Sequence, residues 1–381
     1  MGNRNFRNST AVIGVGSTKF GRLPGEDPYD LGAWALTEAL EDCGLTAADI
    51  DGVIVSRIPD YQRFCEVYGL NPRFALSTPG QGRMSGISIQ LAVAAINAGL
   101  ANTIALVYGN NGRSAGDKYG GDTDRYGSGG AGQFFPYGMT SPGAQHAMMF
   151  ARHMHEYGTT SEQLAAIPVA FRKHAALNPA AVMRELITVE QHQDSKYVAA
   201  PLHIYDYCLI NDGGCALIIT SRERARDAKK APAYIRGYSQ ATKLLDSAFP
   251  PEDMWYNAMQ LAAKDVYEMA DVKREDLDAL MVYDNFSPTV LFSLEGFGFC
   301  KRGEGGAWIQ GGRLELGGQY PTNTSGGHLS ESYMQGWALN VEAVRQLRGE
   351  CGPRQVKDAS LIQYMCAAPL MSSIIYGKDA S

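Results

Sequence analysis

Long uniform runs are what this sequence of 381 residues lacks. No run of Lys or Arg is longer than two residues and the formal net charge is −6, so a nucleic-acid or membrane-surface partner has little electrostatic support. The most apolar stretch, residues 91–109, is interrupted by Asn97, Gly99 and Asn102, which predicts a helix followed by a strand and not a membrane span. The first residues contain no long apolar segment, so we expect no signal peptide.

Cysteine pairs of the CxxC kind are also missing. The seven cysteines are an odd number and are widely spaced, which favours a reducing compartment and argues against a zinc site in this chain. We therefore expect a cytoplasmic protein that carries no metal. The cysteines are Cys43, Cys65, Cys208, Cys215, Cys300, Cys351 and Cys366.

Two stretches of the sequence resemble each other, DIDGVIV at residues 49–55 and DLDALMV at residues 276–282. Each is a short apolar run and predicts a buried strand. Each follows an amphipathic helical pattern and precedes a glycine-rich loop, a helix and a second apolar strand. Any α/β protein alternates helices and strands, but the matching order and loop type favour an internal duplication of an α-β-loop-α-β unit.

The two halves are predicted to meet near residue 230. Residues 221–230 form a charged segment, and a first strand of the second half is predicted at residues 234–238. We therefore expect an N-terminal half of residues 1–230 and a C-terminal half of residues 231–381. The first half contains a loop region, residues 110–224, that is mostly helical from residue 143 and begins with a long surface loop.

Several short motifs occur along the chain in an order that is more informative than any one of them. The ordered set resembles the thiolase superfamily and, within it, the sterol-carrier-protein-type thiolases. The resemblance implies a thiolase fold with five layers, α-β-α-β-α, and two duplicated halves whose junction holds the active site. The motifs are HEYGTT at 155–160, NDGGCA at 211–216, YDNFS at 283–287, GFC at 298–300 and NTSGG at 323–327.

The first departure from that family is the missing nucleophile. Thiolases carry a reactive Cys at the start of the helix after the first-half glycine loop, where the helix N-terminus lowers the thiol pKa. The matching position here falls on Gly82, Arg83 or Met84. None of the three is a nucleophile, so we expect no acyl-enzyme. We expect instead that this loop contacts the substrate thioester and coenzyme A, with backbone N–H groups that polarise the carbonyl oxygen.

The second departure is the missing base. In thiolases the Ser-Gly-Gly loop is followed by a Gly-His-Pro whose His is the catalytic base. The register from Ser325, Gly326 and Gly327 puts Tyr333 at that place. A phenol with a pKa of about 10 cannot do the work of an imidazole near roughly 6.5. The sequence therefore predicts a thiolase scaffold adapted to another reaction.

Retro-aldol cleavage fits these departures because it needs a base, a proton donor and donors for an enolate oxygen, but no acyl-enzyme. The sequence resembles the thiolase-like aldolases of bacterial steroid side-chain degradation, in which two tyrosines matter. That resemblance implies catalytic roles for Tyr283 and Tyr333, and it adds Asn285 and His328 near the reacting atoms. It also implies that Ser325, Gly326 and Gly327 contact the substrate.

Each of these residues also has an ordinary structural interpretation. Tyr333 could fill the space left by a His, and Tyr283 could be a core residue at a strand end. Asn285 could form a turn, and His328 could line the pocket without replacing the base. Cys366 lies near the place of a second thiolase cysteine, where a buried structural Cys is the alternative.

The resemblance also implies a substrate and partners. The expected substrate is a steroid β-hydroxyacyl-CoA, for example a 17-hydroxy side-chain thioester cleaved to a 17-ketosteroid and propionyl-CoA. Coenzyme A is then part of the substrate, and this chain needs no cofactor. We expect a homodimer through an edge strand at residues 103–108, and a small OB-fold partner with a zinc ribbon that binds acyl-CoA, giving an α2β2 heterotetramer.

Two other functions compete with the lyase. One is an acetyl-CoA acyltransferase, or thiolase, whose nucleophile is an atypical cysteine such as Cys366. The other is a non-catalytic acyl-CoA-binding subunit. Resistance of activity to thiol alkylation would separate the lyase from the first, and turnover of a β-hydroxyacyl-CoA would separate it from the second.

Overall fold

The computed structural model describes residues 6–117, 142–242 and 252–380, so most of the predicted surface loop at 110–138 lies outside the described residues. The strands are β1 (Thr10–Ser17), β2 (Gly52–Ser56), β3 (Phe74–Thr78), β4 (Thr103–Asn110), β5 (Tyr197–Ala199), β6 (Leu202–His203), β7 (Gly213–Ser221), β8 (Ala233–Thr242), β9 (Ala279–Val282), β10 (Leu361–Cys366) and β11 (Leu370–Gly377). The helices are α1 (Pro28–Cys43), α2 (Tyr61–Tyr68), α3 (Met84–Asn97), α4 (Pro142–Tyr157), α5 (Ser161–Leu164), α6 (Ala166–Ala176), α7 (Val189–Gln193), α8 (Arg222–Ala225), α9 (Tyr256–Ala270), α10 (Ser287–Gly296), α11 (Gly305–Trp308), α12 (Gly327–Ser330) and α13 (Trp337–Arg348).

Local sequence fixes where the first long helix starts and stops. The side chain of Asp27 accepts hydrogen bonds from the backbone N–H groups of Tyr29 and Asp30, and Pro28 occupies the first turn, where its missing N–H costs nothing. Gly44 ends the helix with φ of 73°, a conformation that favours glycine. No helix in the described ranges is long and apolar enough to cross a membrane.

Nine strands form one mixed sheet in the order β3-β2-β4-β7-β1-β8-β11-β10-β9. In the first half β2 is parallel to β3 and β4, while β7 is antiparallel to β4 and β1. In the second half β9 is parallel to β10, while β11 is antiparallel to β10 and β8. A parallel bridge from Leu280 to Thr322 takes the place that β3 has beside β2. The repeated strand directions confirm the predicted duplication.

The two halves join where β1 and β8 pair over only two residue pairs, Ala11 with Tyr234 and Val12 with Ala233. Each half therefore keeps its own set of strands. The predicted boundary at residues 230 and 231 stays a prediction, and it falls two residues before β8 begins.

Three apolar clusters define the layers. One lies between α1 and the first-half strands and includes Leu36 and Val53. A second lies between α9 or α10 and the second-half strands and includes Leu280. The third is central and holds Ile54, Met281 and residues of α3 and α13. Neighbouring strand residues belong to different clusters because successive side chains point to opposite faces of a sheet. The order is therefore α-β-α-β-α, as predicted.

The structure corrects several details of the sequence prediction. Strand β4, at the predicted dimer edge of residues 103–108, lies between β2 and β7 and is buried along its whole length. Its residues are apolar on both faces because the strand is central, and the free edge of the first half is β3. Strands β3 and β7 and helix α2 were not predicted. In the second half, the long helix that follows the glycine-rich loop begins only at Trp337.

Candidate active site

Three loops meet where the two halves come together. One precedes α3 in the first half, and the other two follow β9 and surround α12 in the second half. The side-chain amide of Gln335 donates a hydrogen bond to the carbonyl oxygen of Gly80 at 3.1 Å and so ties the loops of the two halves together. The predicted site residues all lie in these loops or at the first residues of the helices that follow them.

The two predicted tyrosines face each other. The phenol oxygens of Tyr283 and Tyr333 are 2.9 Å apart, a hydrogen bond in which either can donate. Both residues are buried, with 5% and 9% of their surface exposed. Burial, together with the neighbouring Tyr333, raises the pKa of Tyr283 well above its ordinary value. Tyr283 is therefore a neutral phenol at physiological pH, and it can donate a proton or a hydrogen bond.

His328 packs against both tyrosines, with ring centroids 4.9 Å from Tyr283 and 5.3 Å from Tyr333. Its Nε2 accepts the backbone N–H of Gly336 at 2.9 Å, so the ring proton of the neutral form is on Nδ1. Nδ1 lies 3.0 Å from Oδ1 of Asp284. Both ring nitrogens therefore face protein groups, and in this arrangement the imidazole supports the tyrosines and is not free to accept a substrate proton.

Asp284 organises the start of α12. Its carboxylate accepts the backbone N–H groups of His328 at 2.9 Å and of Leu329 at 3.2 Å. A carboxylate at a helix start is favourable because the backbone N–H groups there have no partner within the helix. The residue directly after Tyr283 thus holds the loop that carries the other tyrosine.

Asn285 is half-buried and keeps one polar group available. Its Oδ1 accepts the N–H of Phe286 at 3.1 Å and the hydroxyl of Thr289 at 2.7 Å, which fixes the orientation of the amide. The Nδ2 group has no protein partner within the described residues. It can therefore donate to a substrate oxygen.

Sequence reasoning missed the role of Asn211. Its Oδ1 accepts the backbone N–H of Tyr333 at 2.7 Å, across 122 residues of chain. Its own carbonyl oxygen accepts from Nδ2 of Asn110 at 3.1 Å. The NDGGCA motif contains Asn211, but nothing in the motif indicates which distant backbone it holds.

The surroundings of Gly82 show why no side chain fits at the position of the thiolase nucleophile. A Cβ atom placed on Gly82 would lie 1.6 Å from the phenol oxygen of Tyr283 and 2.1 Å from its Cζ atom. The phenol therefore fills the space that any side chain at residue 82 would need.

The neighbours of Gly82 complete this loop. Arg83 is half-buried, and its Nε atom has no hydrogen-bond partner among the described residues. Met84 is buried, and its backbone N–H donates to the carbonyl of Gln81 at 2.9 Å, so this N–H is not free for a thioester oxygen. The hydroxyl groups of Ser85 and Tyr364 form a hydrogen bond with an oxygen–oxygen distance of 2.8 Å. Contact of Gly82, Arg83 and Met84 with substrate stays a prediction.

The second glycine loop, residues 325–327, is buried in the protein. Ser325 donates its hydroxyl to Glu331 at 2.7 Å. Gly326 and Gly327 have φ of 107° and 61°, and a Cβ atom would meet Ala175 at 2.6 Å or the carboxylate of Asp284 at 2.3 Å. These residues shape the loop, and their predicted contact with substrate is not tested by this geometry.

Neither Cys366 nor Cys215 is poised for attack. Cys366 is fully buried, and burial raises its pKa to about 12. Burial also raises the pKa of Cys215 well above its ordinary value. Thiols with such pKa values stay protonated at neutral pH, and the thiolate is the nucleophilic form. In the described part of the chain, no group of three or more His, Cys, Asp or Glu side chains is placed to hold a metal ion.

Comparison with known proteins identifies the family. Residues 246–373 match the family model described as thiolase C-terminal domain-like. The chain is 36% identical over 355 residues to a steroid side-chain-cleaving aldolase of Thermomonospora curvata, which covers 90% of each chain. It is 34% identical over 353 residues to the 17-hydroxy-3-oxo-4-pregnene-20-carboxyl-CoA lyase of Mycobacterium tuberculosis, covering 89% of this chain and 91% of that one.

A solved structure is similar over nearly the whole length. The Ltp2-ChsH2(DUF35) aldolase superimposes with a TM-score of 0.90 at 33% identity, covering 98% of both chains. Fold, tyrosine pair and missing thiol together define a thiolase scaffold without thiolase chemistry. The chain belongs to the thiolase superfamily, in the branch of the steroid side-chain-cleaving aldolases.

Proposed function

We propose that this protein is a retro-aldol lyase that cleaves the side chain of a steroid β-hydroxyacyl-CoA to a ketone and a short acyl-CoA. The observation that carries the proposal is the pair of buried tyrosines 2.9 Å apart. Tyr333 is at the register of the thiolase His, and the phenol of Tyr283 fills the space beside Gly82, in the loop where thiolases hold their Cys. A 17-hydroxy steroid thioester that gives a 17-ketosteroid and propionyl-CoA is the specific substrate we propose. The names of the relatives support this choice.

The tyrosine pair can act as a proton relay. As the Cα–Cβ bond breaks, the β-hydroxyl proton moves to Tyr333, the proton of Tyr333 moves to Tyr283, and the proton of Tyr283 moves to Cα. The β-carbon becomes the ketone, the electron pair of the broken bond becomes the thioester enolate, and Cα takes up the proton. Neither phenol has to ionise, which agrees with the raised pKa of Tyr283.

The direction of the relay follows from position. The oxygen of Tyr283 packs against Gly82, in the loop that we expect to hold the thioester, so Tyr283 is placed on the Cα side. Tyr333 then faces the β-hydroxyl. Nδ2 of Asn285 is the side-chain donor that we assign to the enolate oxygen, because charge develops there as the bond breaks.

The test is the loss of each phenol oxygen. We expect Tyr283→Phe and Tyr333→Phe each to lower kcat at least about 100-fold, the usual range for a positioned acid or base. Tyr376→Phe is the matched control, because its buried phenol donates to Asn340 at 2.7 Å away from the site. Near-wild-type turnover in both variants, with the fold intact and the partner protein present, would contradict the proposed mechanism.

The acyltransferase alternative requires a thiolate. The pKa of about 12 at Cys366 speaks against it, because the thiol is protonated at neutral pH. If the protein is a non-catalytic acyl-CoA-binding subunit, it shows no turnover with any partner. Turnover of a β-hydroxyacyl-CoA therefore separates the lyase from the non-catalytic subunit, and resistance of that turnover to thiol alkylation separates it from the acyltransferase.

For the assembly we propose a homodimer that pairs the exposed edge of β3, and a small partner of the kind named in the Ltp2-ChsH2(DUF35) aldolase. A partly exposed edge strand supports the first proposal, because it presents unpaired backbone groups. An α2β2 complex in the cytoplasm is the form we propose, with any zinc in the partner. Light scattering of the chain alone and with the partner tests both stoichiometries.

A further inference from the structure

A buried arginine lies behind the short helix that precedes Tyr333. Arg172 on α6 is 5% exposed, and in the described part of the chain its guanidinium has no acidic side chain within ion-pair distance. Burying a guanidinium is costly unless an opposite charge or several hydrogen bonds compensate for the lost water. The contacts of Arg172 are all with uncharged groups, so charge pairing does not account for its burial.

The guanidinium bonds two different segments at once. Its Nε donates to the hydroxyl oxygen of Ser330 at 2.9 Å, and its Nη1 donates to the backbone carbonyl of Glu185 at 3.0 Å. The group also lies over the ring of Tyr205, 5.8 Å from its centroid. Because a guanidinium is a rigid planar fork, the two bonds fix Ser330 and Glu185 relative to each other and to α6.

The same two segments are paired through their backbones. The N–H of Met183 donates to the carbonyl of Ser330 at 2.9 Å, and the N–H of Val182 donates to the carbonyl of Glu331 at 3.0 Å. The carbonyls at the end of a helix have no partner within the helix, so residues 182 and 183 supply the partners for the end of α12. Arg172 therefore holds both sides of the pairing that ends this helix.

Helix α12 depends on such external bonds because it has only four residues. A single helical turn is not stable on its own in water. The carboxylate of Asp284 holds the start of the turn, and Arg172 holds its last residue, Ser330. The turn carries His328, which packs against both tyrosines, and Tyr333 follows three residues after Ser330. The position of the Tyr333 phenol therefore depends on how both ends of α12 are held.

The rest of α6 and the residues after it support the same loop. Nδ1 of His174 is 3.2 Å from the carbonyl of Asn323, and Nδ2 of Asn178 donates to the carbonyl of Ser325 at 2.9 Å. These contacts hold the beginning of the loop, whereas Arg172 holds its end, near Tyr333.

We propose that Arg172 is a positioning residue for the lyase reaction, whose guanidinium fixes the end of α12 and so holds Tyr333 within hydrogen-bond distance of Tyr283. This proposal rests on the proposed function. Arg172 is buried and bonds only protein groups, so it acts through Tyr333 and does not touch the reacting atoms. Its loss should therefore change kcat and leave the KM for the acyl-CoA nearly unchanged.

The first test is Arg172→Lys. A lysine keeps the positive charge, but its single nitrogen cannot replace the rigid fork that bonds Ser330 and Glu185 together. We expect kcat to fall about tenfold, because a loosened α12 displaces a reacting group, while KM stays within about twofold. Ser330→Ala, which removes the acceptor of the Nε bond and leaves Arg172 in place, should lower kcat about threefold. It provides the same test if Arg172→Lys does not fold.

The second test shows whether Arg172 acts through Tyr333. Two changes that act through one group are not additive, so Arg172→Lys should cause no further loss of kcat in a Tyr333→Phe background. A general structural role would instead lower the residual rate of Tyr333→Phe by the same factor as in the wild type. That result, or a wild-type kcat in Arg172→Lys itself, would overturn the proposal.

Arg348 supplies a matched control. It is another arginine with a buried side chain that donates to backbone carbonyls, those of Ala231 at 2.8 Å and Ile13 at 2.7 Å, outside the catalytic loops. Arg348→Lys should keep kcat within about twofold. An equal fall of kcat in both lysine variants would show a general loss of rigidity and would also overturn the proposal.

A further readout does not depend on turnover. Amide hydrogen exchange of peptides that cover residues 328–334 should be faster in Arg172→Lys than in the wild type and unchanged in Arg348→Lys. Unchanged exchange in Arg172→Lys would contradict the anchoring of α12. If the wild type shows no lyase turnover but the exchange difference is present, the proposed function is wrong and the anchoring of α12 by Arg172 remains.

Discussion

Replacing Gly82 with Ala is the sharpest test of the site geometry. The φ angle of Gly82 is not in the left-handed region, so the substitution is not penalised by backbone strain. Its whole effect comes from the new methyl group, which would lie 1.6 Å from the phenol oxygen of Tyr283. An ordinary contact needs about 3.4 Å or more, so the phenol or the loop has to move by well over 1 Å.

The size of the effect follows from that displacement. Overpacking a filled site costs about 1–3 kcal/mol of stability. A reacting group that moves by about 1 Å loses about 100-fold in rate. We therefore expect Gly82→Ala to lose about 100-fold in kcat and about 1–3 kcal/mol of stability.

Gly80 in the same loop supplies the matched control. A Cβ atom there would meet only the side chain of Arg57 at 3.4–3.5 Å, which is ordinary van der Waals contact. Gly80→Ala should therefore keep kcat within about threefold. The assay is steady-state cleavage of the β-hydroxyacyl-CoA with the partner present, combined with thermal unfolding of both variants. Equal kcat in Gly82→Ala and Gly80→Ala would refute the contact between Tyr283 and residue 82.

Two further predictions follow from the buried groups. Intact-protein mass spectrometry after mixing with substrate should show no acyl adduct, and iodoacetamide should leave turnover unchanged, because burial keeps the thiols of Cys366 and Cys215 protonated; an adduct on any Cys or Ser would favour the acyltransferase. Glu331 has a folded-state pKa of about 8 against an ordinary 4.5, so its folded form binds the extra proton and its contribution to stability is lost as pH rises from about 4.5 through 8. Urea unfolding should therefore show Glu331→Gln gaining roughly 3–5 kcal/mol relative to the wild type between pH 5 and pH 9; a pH-independent difference would contradict the raised pKa.

Much of the architecture could be predicted because it depends on patterns of residues that are close together in the sequence. The Asp-x-Asp strand starts, the two glycine loops and the register from Ser325 to Tyr333 are short-range features, and they were sufficient to predict the duplicated fold. Tyr333 follows from the same register, whereas Tyr283 follows from the YDNFS motif and the family resemblance. Their contact with each other was not predictable in detail, because it depends on how two loops 50 residues apart are folded together.

What could not be predicted depends on distant partners. Strand β4 was expected to be an edge strand. An apolar run does not indicate which strands lie on either side of it, and the position of β4 between β2 and β7 is set by the order of the whole sheet. Glu331 lies in the polar segment SES, which is typical of an exposed turn. Its burial is decided by Asn178, 153 residues earlier, and by the charge on Glu342.

The contact between Gly82 and Tyr283 also limits how this active site can change over generations. A thiol at residue 82 and a phenol at residue 283 need the same volume, so the two chemistries exclude each other sterically. A variant that acquired only the cysteine would clash with the phenol, and one that lost only the phenol would have neither reaction. The route back to acyl transfer therefore crosses a state that is inactive in both reactions, and this barrier keeps the lineage committed to bond cleavage.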